Sequence, residues 1–322
     1  MKNMPNRKME KCAKPPQNNP WEKIILTAFL VLLLFPAAGV ALAAQPVLPS
    51  HVTLGLLGAI IVFNTGVLIG VIGTLIGAGG GFIHVPVLII FYGFTPQHAI
   101  GTSMAVVMMN AISGTFSYVA QKRIDYEIAI KFAVAASPGV FVGALLSQFF
   151  NVSSFSIIFS LLLIFLSYYL FSGKEFSVVR TKVAQAPRTR YLKDVTGEEF
   201  YYAPDMSVGF SASTLIGVFS GLFGIGGGII HVPLMYSALG IPVHIATATS
   251  HCILAITSFL GFIVFVGLGY VDLNYAVLLG IGTIIGAGYG AQLSLKTRPY
   301  IIKKVIAVCL LFLALRLLMD VL

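Results

Sequence analysis

Apolar residues occupy this chain in long blocks, and polar residues collect in the short gaps between them. An apolar block of about 20 residues is long enough to cross a bilayer as a helix. On that pattern, segments are expected near 52–77, 80–93, 98–120, 127–150 and 153–172, and again near 207–223, 227–240, 244–268, 273–294 and 300–320. The short alternating strands of a membrane β-barrel are missing. The predicted fold is an all-α polytopic membrane protein. The second segment of each set is shorter than a full span. Each is expected to be a half-helix or re-entrant piece, tolerated where it is buried in protein or lines water.

Ahead of these blocks lies a basic stretch, 1–23, then an apolar run from Ile24 to Phe35 and small residues up to Ala44. Ala41-Leu42-Ala43 fits a signal-peptidase site. Residues 1–44 therefore read as a basic N-region plus a signal peptide or a first transmembrane helix. The remainder divides into a first transmembrane repeat (45–172), a linker (173–206) and a second transmembrane repeat (207–322).

The repeat is visible in the residues themselves. Gly77-Ala78-Gly79-Gly80-Gly81-Phe82-Ile83-His84-Val85-Pro86 returns as Gly224-Ile225-Gly226-Gly227-Gly228-Ile229-Ile230-His231-Val232-Pro233. Thr102-Ser103 returns as Thr249-Ser250, Asp125 as Asp272, and Gly139 and Gly143 as Gly286 and Gly290, all at an offset of 147. Glycine destabilises a helix by roughly 1 kcal/mol relative to alanine. Paired glycine breaks at matching places in two halves are what discontinuous transporter helices require.

Five segments per half is an odd number, so the halves should be inverted. The loop charges agree with this. Lys122 and Arg123 lie in the first-half loop expected inside, whereas the equivalent stretch Gly269 to Asp272 holds no Lys or Arg. The next loop reverses: Phe149 to Ser154 is free of basic residues, and Lys296, Arg298, Lys303 and Lys304 sit in its counterpart. Positive charge marks the cytoplasmic side. The linker, which mixes both charge signs, is expected to be a cytoplasmic solvated spacer.

Composition narrows the class. Of the 322 residues, 57% are hydrophobic and 10% charged, against about 25% charged in soluble domains. The formal charge of +9 lies in loops, termini and segment ends and describes no nucleic-acid-binding face. Cys12, Cys252 and Cys309 have neither a disulfide framework nor metal spacing.

Candidate chemistry centres on the glycine strings. Gly79, Gly80, Gly81, Gly226, Gly227 and Gly228 expose backbone N–H groups at the start of a half-helix, a position that favours an anion. Thr102, Ser103, Thr249 and Ser250 follow, as donors to a substrate oxygen or as bonds to backbone carbonyls. His84 and His231, inside the membrane segments, are candidates for anion binding or proton coupling. Gln121, Asn64, Asn110 and Gln292 are further polar groups for a pathway. The segments hold almost no Asp or Glu, the usual marks of cation and proton pathways.

At Gly77-x-Gly79-Gly80-Gly81-x-x-x-x-Pro86 and Gly224-x-Gly226-Gly227-Gly228-x-x-x-x-Pro233, each followed by a Thr-Ser pair, the sequence resembles the sulfite exporter TauE/SafE family of membrane permeases. The resemblance covers roughly residues 55 to 320. It implies a secondary transporter for small sulfur-containing or organic anions, such as sulfite or sulfonates. The expected partners are the lipid bilayer, a small anionic substrate and a coupling ion, proton or sodium. No cofactor, metal or nucleic acid is expected, and the location is the inner (plasma) membrane. Two alternatives stand beside it. A membrane-embedded enzyme would need a nucleophile and base, but Cys252 and His251 are adjacent and point apart on a helix. A non-transporting receptor or assembly subunit would be expected to carry a large soluble domain.

Overall fold

A computed structural model describes residues 55–172, 190–294 and 299–319. The expectations for 1–44, for Lys296 and Arg298, and for the first part of the linker lie outside the described residues. The first half comprises α1 (Leu56–Ile76), α2 (Gly81–Tyr92), α3 (Pro96–Ala120), α4 (Tyr126–Leu146) and α5 (Val152–Ser172). A hairpin follows, β1 (Arg190–Lys193) and β2 (Glu199–Tyr202). The second half comprises α6 (Met206–Phe223), α7 (Gly228–Pro233), α8 (Val243–Gly267), α9 (Leu273–Ser294) and α10 (Pro299–Met319). Seven helices among the described residues are long and apolar enough to cross a membrane. The protein is thus a polytopic helical membrane protein.

Local chemistry sets the helix ends. The Asp125 side chain caps α4 by accepting from the Ile128 amide at 3.1 Å, and Asp205 caps α6 through the Ser207 amide at 3.0 Å. Pro96 opens α3 at a position where its missing N–H is no loss. The short segments are as short as expected: α2 has 12 residues, about 18 Å of helix. Its counterpart α7 passes through Pro233 into a π turn at Leu234–Ala238.

The halves exchange partners. The first helix of each half packs on the fourth helix of the other, α1 with α9 and α6 with α4. Small residues make these contacts close, as at membrane helix interfaces generally. Gly286 and Gly290 lie against the backbone of α1, and their equivalents Gly139 and Gly143 lie against that of α6. The third helices, α3 and α8, pack on each other, and α5 packs on α10. Thr249, near the start of α8, accepts from the Asp125 amide just past the end of α3. Thr102, near the start of α3, accepts from the Asp272 amide just past the end of α8. Helices α3 and α8 therefore run antiparallel, start against end. Outward faces carry exposed Ile130, Phe141, Leu161, Phe165 and Leu215, the surface that lipid covers.

The hairpin corrects the expectation of a solvated spacer for the second part of the linker. Its strands pair antiparallel, Arg190 opposite Tyr202. It docks on the loop between α3 and α4. Arg123 pairs with Asp194 at 2.7 Å, both buried. Arg190 reaches both carboxylate oxygens of Asp125 at 2.8 Å and pairs with Glu127. The Tyr202 hydroxyl donates to Asp125 at 2.7 Å, and the Val195 amide to the Gln121 carbonyl at 3.1 Å. Opposite charges in the linker and in that loop find each other, which composition alone does not reveal.

Candidate functional site

The glycine strings are folded as breaks between helices. Gly77, Gly79 and Gly80 have φ of 81°, 71° and 79°, and Gly224, Gly226 and Gly227 have 67°, 69° and 79°. Side chains strongly disfavour that left-handed region. Gly81 and Gly228 have a different reason. A Cβ on Gly81 would stand 2.5 Å from the Gly224 carbonyl oxygen, and one on Gly228 would stand 2.5 Å from that of Gly77. The two breaks therefore touch backbone to backbone, each at the other's glycines.

Helix starts leave their first N–H groups without partners in the helix. Ile83 and His84 both donate to the Gly80 carbonyl, at 2.9 and 3.0 Å. Ile230 and His231 donate likewise to Gly227, at 3.1 and 2.9 Å. This leaves Gly81 and Phe82, and Gly228 and Ile229, as the first-turn donors outside the ladder. Two repeat-related side chains, Val107 and Leu254, close over the breaks: Gly79 lies against both, and so does Gly226.

The hydroxyl pairs bind backbone across the halves. Ser103 donates to the Gly224 carbonyl and Ser250 to the Gly77 carbonyl, each at 2.9 Å. Thr102 and Thr249 make the loop contacts described above. All four are fully buried. Of the two roles open to them from sequence, the backbone-bonded one is occupied in this arrangement.

The histidines differ. His231 bonds the Gly227 carbonyl through Nδ1 at 3.2 Å and faces Ser213 through Nε2 at 3.3 Å. His84, equally buried, has no hydrogen-bond partner on either ring nitrogen among the described residues. The weaker polar candidates separate too. Asn64 bonds its own helix at the Ile60 carbonyl, and Gln292 is exposed. Gln121 donates to the Ala291 carbonyl at 3.0 Å, towards the hairpin end.

Asn110 does reach the centre, as part of a cluster the sequence reading did not assemble. Its Nδ2 donates to the Gly79 carbonyl at 3.1 Å. Its Oδ1 accepts from the Thr74 hydroxyl at 2.6 Å. Nε2 of His251 lies 3.3 Å from that hydroxyl oxygen. The Tyr118 hydroxyl donates to the Thr74 carbonyl at 2.8 Å, and its ring meets the His251 ring edge to face. At the offset of 147, the counterparts of Thr74, Asn110, Tyr118 and His251 are Gly221, Thr257, Phe265 and Met104. The repeat is thus polar at one break and largely apolar at the other. Comparing the halves for mismatches, rather than for matches, would have exposed this cluster.

Comparison with known proteins agrees with the architecture. The family model described as sulfite exporter TauE/SafE matches residues 62–317. The chain is similar to the probable membrane transporter protein YunE of Bacillus subtilis, 32% identical over 268 residues, covering 81% of this chain and 97% of that one. It is also similar to a probable membrane transporter protein of Methanocaldococcus jannaschii, 26% identical, covering 73% and 85% of the two chains. A probable membrane transporter protein of Xylella fastidiosa is 28% identical over 241 residues. No solved structure matches.

Proposed function

The chain belongs to the sulfite exporter TauE/SafE family, a family of membrane permeases and not of enzymes, and on that premise we propose that it moves small sulfur-containing or organic anions, such as sulfite or a sulfonate, by alternating access. One observation carries this reading: two glycine breaks meet at the centre of an apolar helical bundle, each leaving helix-initial N–H groups outside the helical ladder. Such groups, with the helix dipole, suit a compact anion. Scarcity of carboxylates in the segments suits the same charge.

In this reading the substrate site is built from Gly79, Gly80, Gly81, Gly226, Gly227 and Gly228, with Thr102, Ser103, Thr249 and Ser250. The serine hydroxyls now hold the opposite break. When the halves part, each hydroxyl and each carbonyl loses its partner, and an oxyanion takes the hydroxyl. His231 holds its turn through the Gly227 carbonyl, and His84 and His231, one beside each break, are candidates to meet the anion or a coupling proton. A coupling ion, proton or sodium, drives the cycle, and the site of action is the plasma (inner) membrane. The antiparallel run of α3 and α8 and the loop charges support inverted halves, the architecture in which alternating access is a rocking of one repeat against the other.

Counterflow of labelled sulfite, sulfoacetate, taurine and acetate in proteoliposomes tests the proposal. Exchange of sulfite or sulfoacetate above that of acetate supports it. Exchange of none of them would remove the anion reading.

A further inference from the structure

We infer that His251 is the protonation site of this transporter, and that the anion and one proton bind and cross together. The inference rests on the transporter reading and names its coupling ion. The observation behind it is a hydrogen-bond chain with one possible direction. The Gly79 carbonyl can only accept, so Asn110 must present its Nδ2 there, at 3.1 Å. Its Oδ1 then faces Thr74 and takes the hydroxyl proton at 2.6 Å. With that proton spent, the Thr74 oxygen can only accept from His251, so the ring proton sits on Nε2. Nδ1 is left as a bare lone pair, fully buried and without a partner among the described residues.

An orphaned acceptor in a buried site calls for an explanation, and an ionisable side chain within a membrane span is a functional candidate by default. A proton on Nδ1 turns the orphan into a donor, and the backbone carbonyl one turn back on α8 belongs to Thr247. The other central histidines lack this arrangement. Both nitrogens of His231 are engaged, and neither ring nitrogen of His84 bonds a side chain that would fix its tautomer.

The imidazolium would then stand without a counter-charge. Around it, α1 carries no ionisable residue, and α3 carries His98 and Tyr118. His98 is bonded to Thr95 at the far end of α3. On α8 itself are His244 and Cys252, α9 carries Tyr275 and Tyr289, and α7 with its π turn carries His231 and Tyr236. On α4, Glu127 and Lys131 pair with each other at its start, and Arg123 is held by Asp194. None of these faces the ring with a negative charge. An anion at the Gly79 break supplies the missing charge, and the proton supplies the anion's. Each therefore raises the affinity of the site for the other by the same factor.

Two measurements on the full-length protein decide the matter. The first is the tautomer, read by nitrogen NMR of labelled histidine in lipid nanodiscs. The expected signature is an Nε2–H ring with a bare Nδ1 that becomes imidazolium on acidification. Assignment follows from its loss in His251→Gln, and Thr74→Val should release the tautomer. An Nδ1–H ring in the wild type would overturn the inference. The second is anion binding followed by thermal stabilisation across pH, with sulfite replaced by sulfoacetate, whose sulfonate and carboxylate stay ionised. One-proton linkage predicts affinity falling up to about tenfold per pH unit on the alkaline side. In His251→Gln the slope should vanish and accumulation driven by an imposed pH gradient should be lost. A slope or gradient response that survives in the variant refutes proton coupling at this ring. Absence of counterflow in the wild type would instead fail the anion-transport reading, and the tautomer measurement would still judge the protonation site.

Discussion

The Ser250 hydroxyl donates to the Gly77 carbonyl at 2.9 Å, joining the third helix of the second half to the break of the first. Ser103 repeats the bond on Gly224. Each bond is buried, and each fastens one half to the other. Ser103→Ala and Ser250→Ala should each lower stability by about 1–3 kcal/mol, the cost of a buried carbonyl left unpaired, and by similar amounts because the two bonds match in length and in partner. Thermal unfolding in nanodiscs reads this. A loss confined to one of the two variants would show that the clamps are not equivalent.

The glycine breaks give a graded prediction. Gly80 has φ of 79° and a Cβ there would meet Ile69 Cγ2 at 2.8 Å, whereas at Gly227, with the same φ, the nearest atom is Ile216 Cγ2 at 3.0 Å. The left-handed conformation alone costs an L-residue about 1–2 kcal/mol. Both alanine variants should be destabilised, Gly80→Ala more than Gly227→Ala. Gly288 has nothing within 4 Å and sits inside α9, so Gly288→Ala should be neutral or stabilising by up to about 1 kcal/mol. Expression yield and thermal unfolding order the three. Equal effects at Gly80 and Gly288 would exclude a backbone reason for the motif.

Much of this was written in the sequence. Hydrophobic block length placed each described helix within a few residues, because a membrane span tolerates little else. The duplicated Gly-x-Gly-Gly-Gly pointed to breaks, because positive φ leaves glycine as the ready choice at Gly77, Gly79 and Gly80. What stayed hidden depended on pairing at a distance. Arg123 meets Asp194 across 71 residues, and His251 meets Thr74 across 177. Composition classed 190–205 as solvated linker because it cannot tell a charge facing water from one facing its partner. The roles of Ser103 and Ser250 were open for a related reason, since a hydroxyl near a break serves a carbonyl or a substrate with the same atoms.

The hairpin clamp makes a pH prediction. Burial pushes the Asp194 carboxyl up, but hydrogen bonds from Thr196 and Arg123 outweigh it and hold the group at about 2, below its ordinary 3.8. A carboxyl depressed in the folded state stabilises it fully above the ordinary value. That contribution disappears as pH falls from about 4 through 2. Protection from hydrogen exchange at the amides of Thr196 and Glu198, which donate to Asp194, should therefore fall over that window. Asp194→Asn should show the low protection at every pH, having lost charge-assisted bonds of roughly 1.5–3 kcal/mol. Protection unchanged between pH 4 and 2 would mean that the clamp does not depend on the charge.

The last prediction concerns which side of the membrane each loop faces. Thr249 holds the Asp125 amide and Thr102 holds the Asp272 amide, so these two loops lie at opposite ends of the antiparallel α3 and α8. Only the first carries basic residues, Lys122 and Arg123, which belong inside. Asp272 and its neighbour Asn274 should then be outside, along with Ser153, which is separated from Lys122 by the span of α4. Lys122, Ser153 and Asn274 are all exposed. Single cysteines at these three positions, in a chain with Cys12, Cys252 and Cys309 replaced, can be tested with an impermeant thiol reagent in intact cells. Positions 153 and 274 should label from outside, and 122 only after the membrane is opened. Labelling of 122 and 274 from the same side would conflict with the antiparallel pair and remove the basis for inverted halves. Labelling of all three in reverse would keep the fold and turn it over, placing the hairpin and its ion pairs on the outer face.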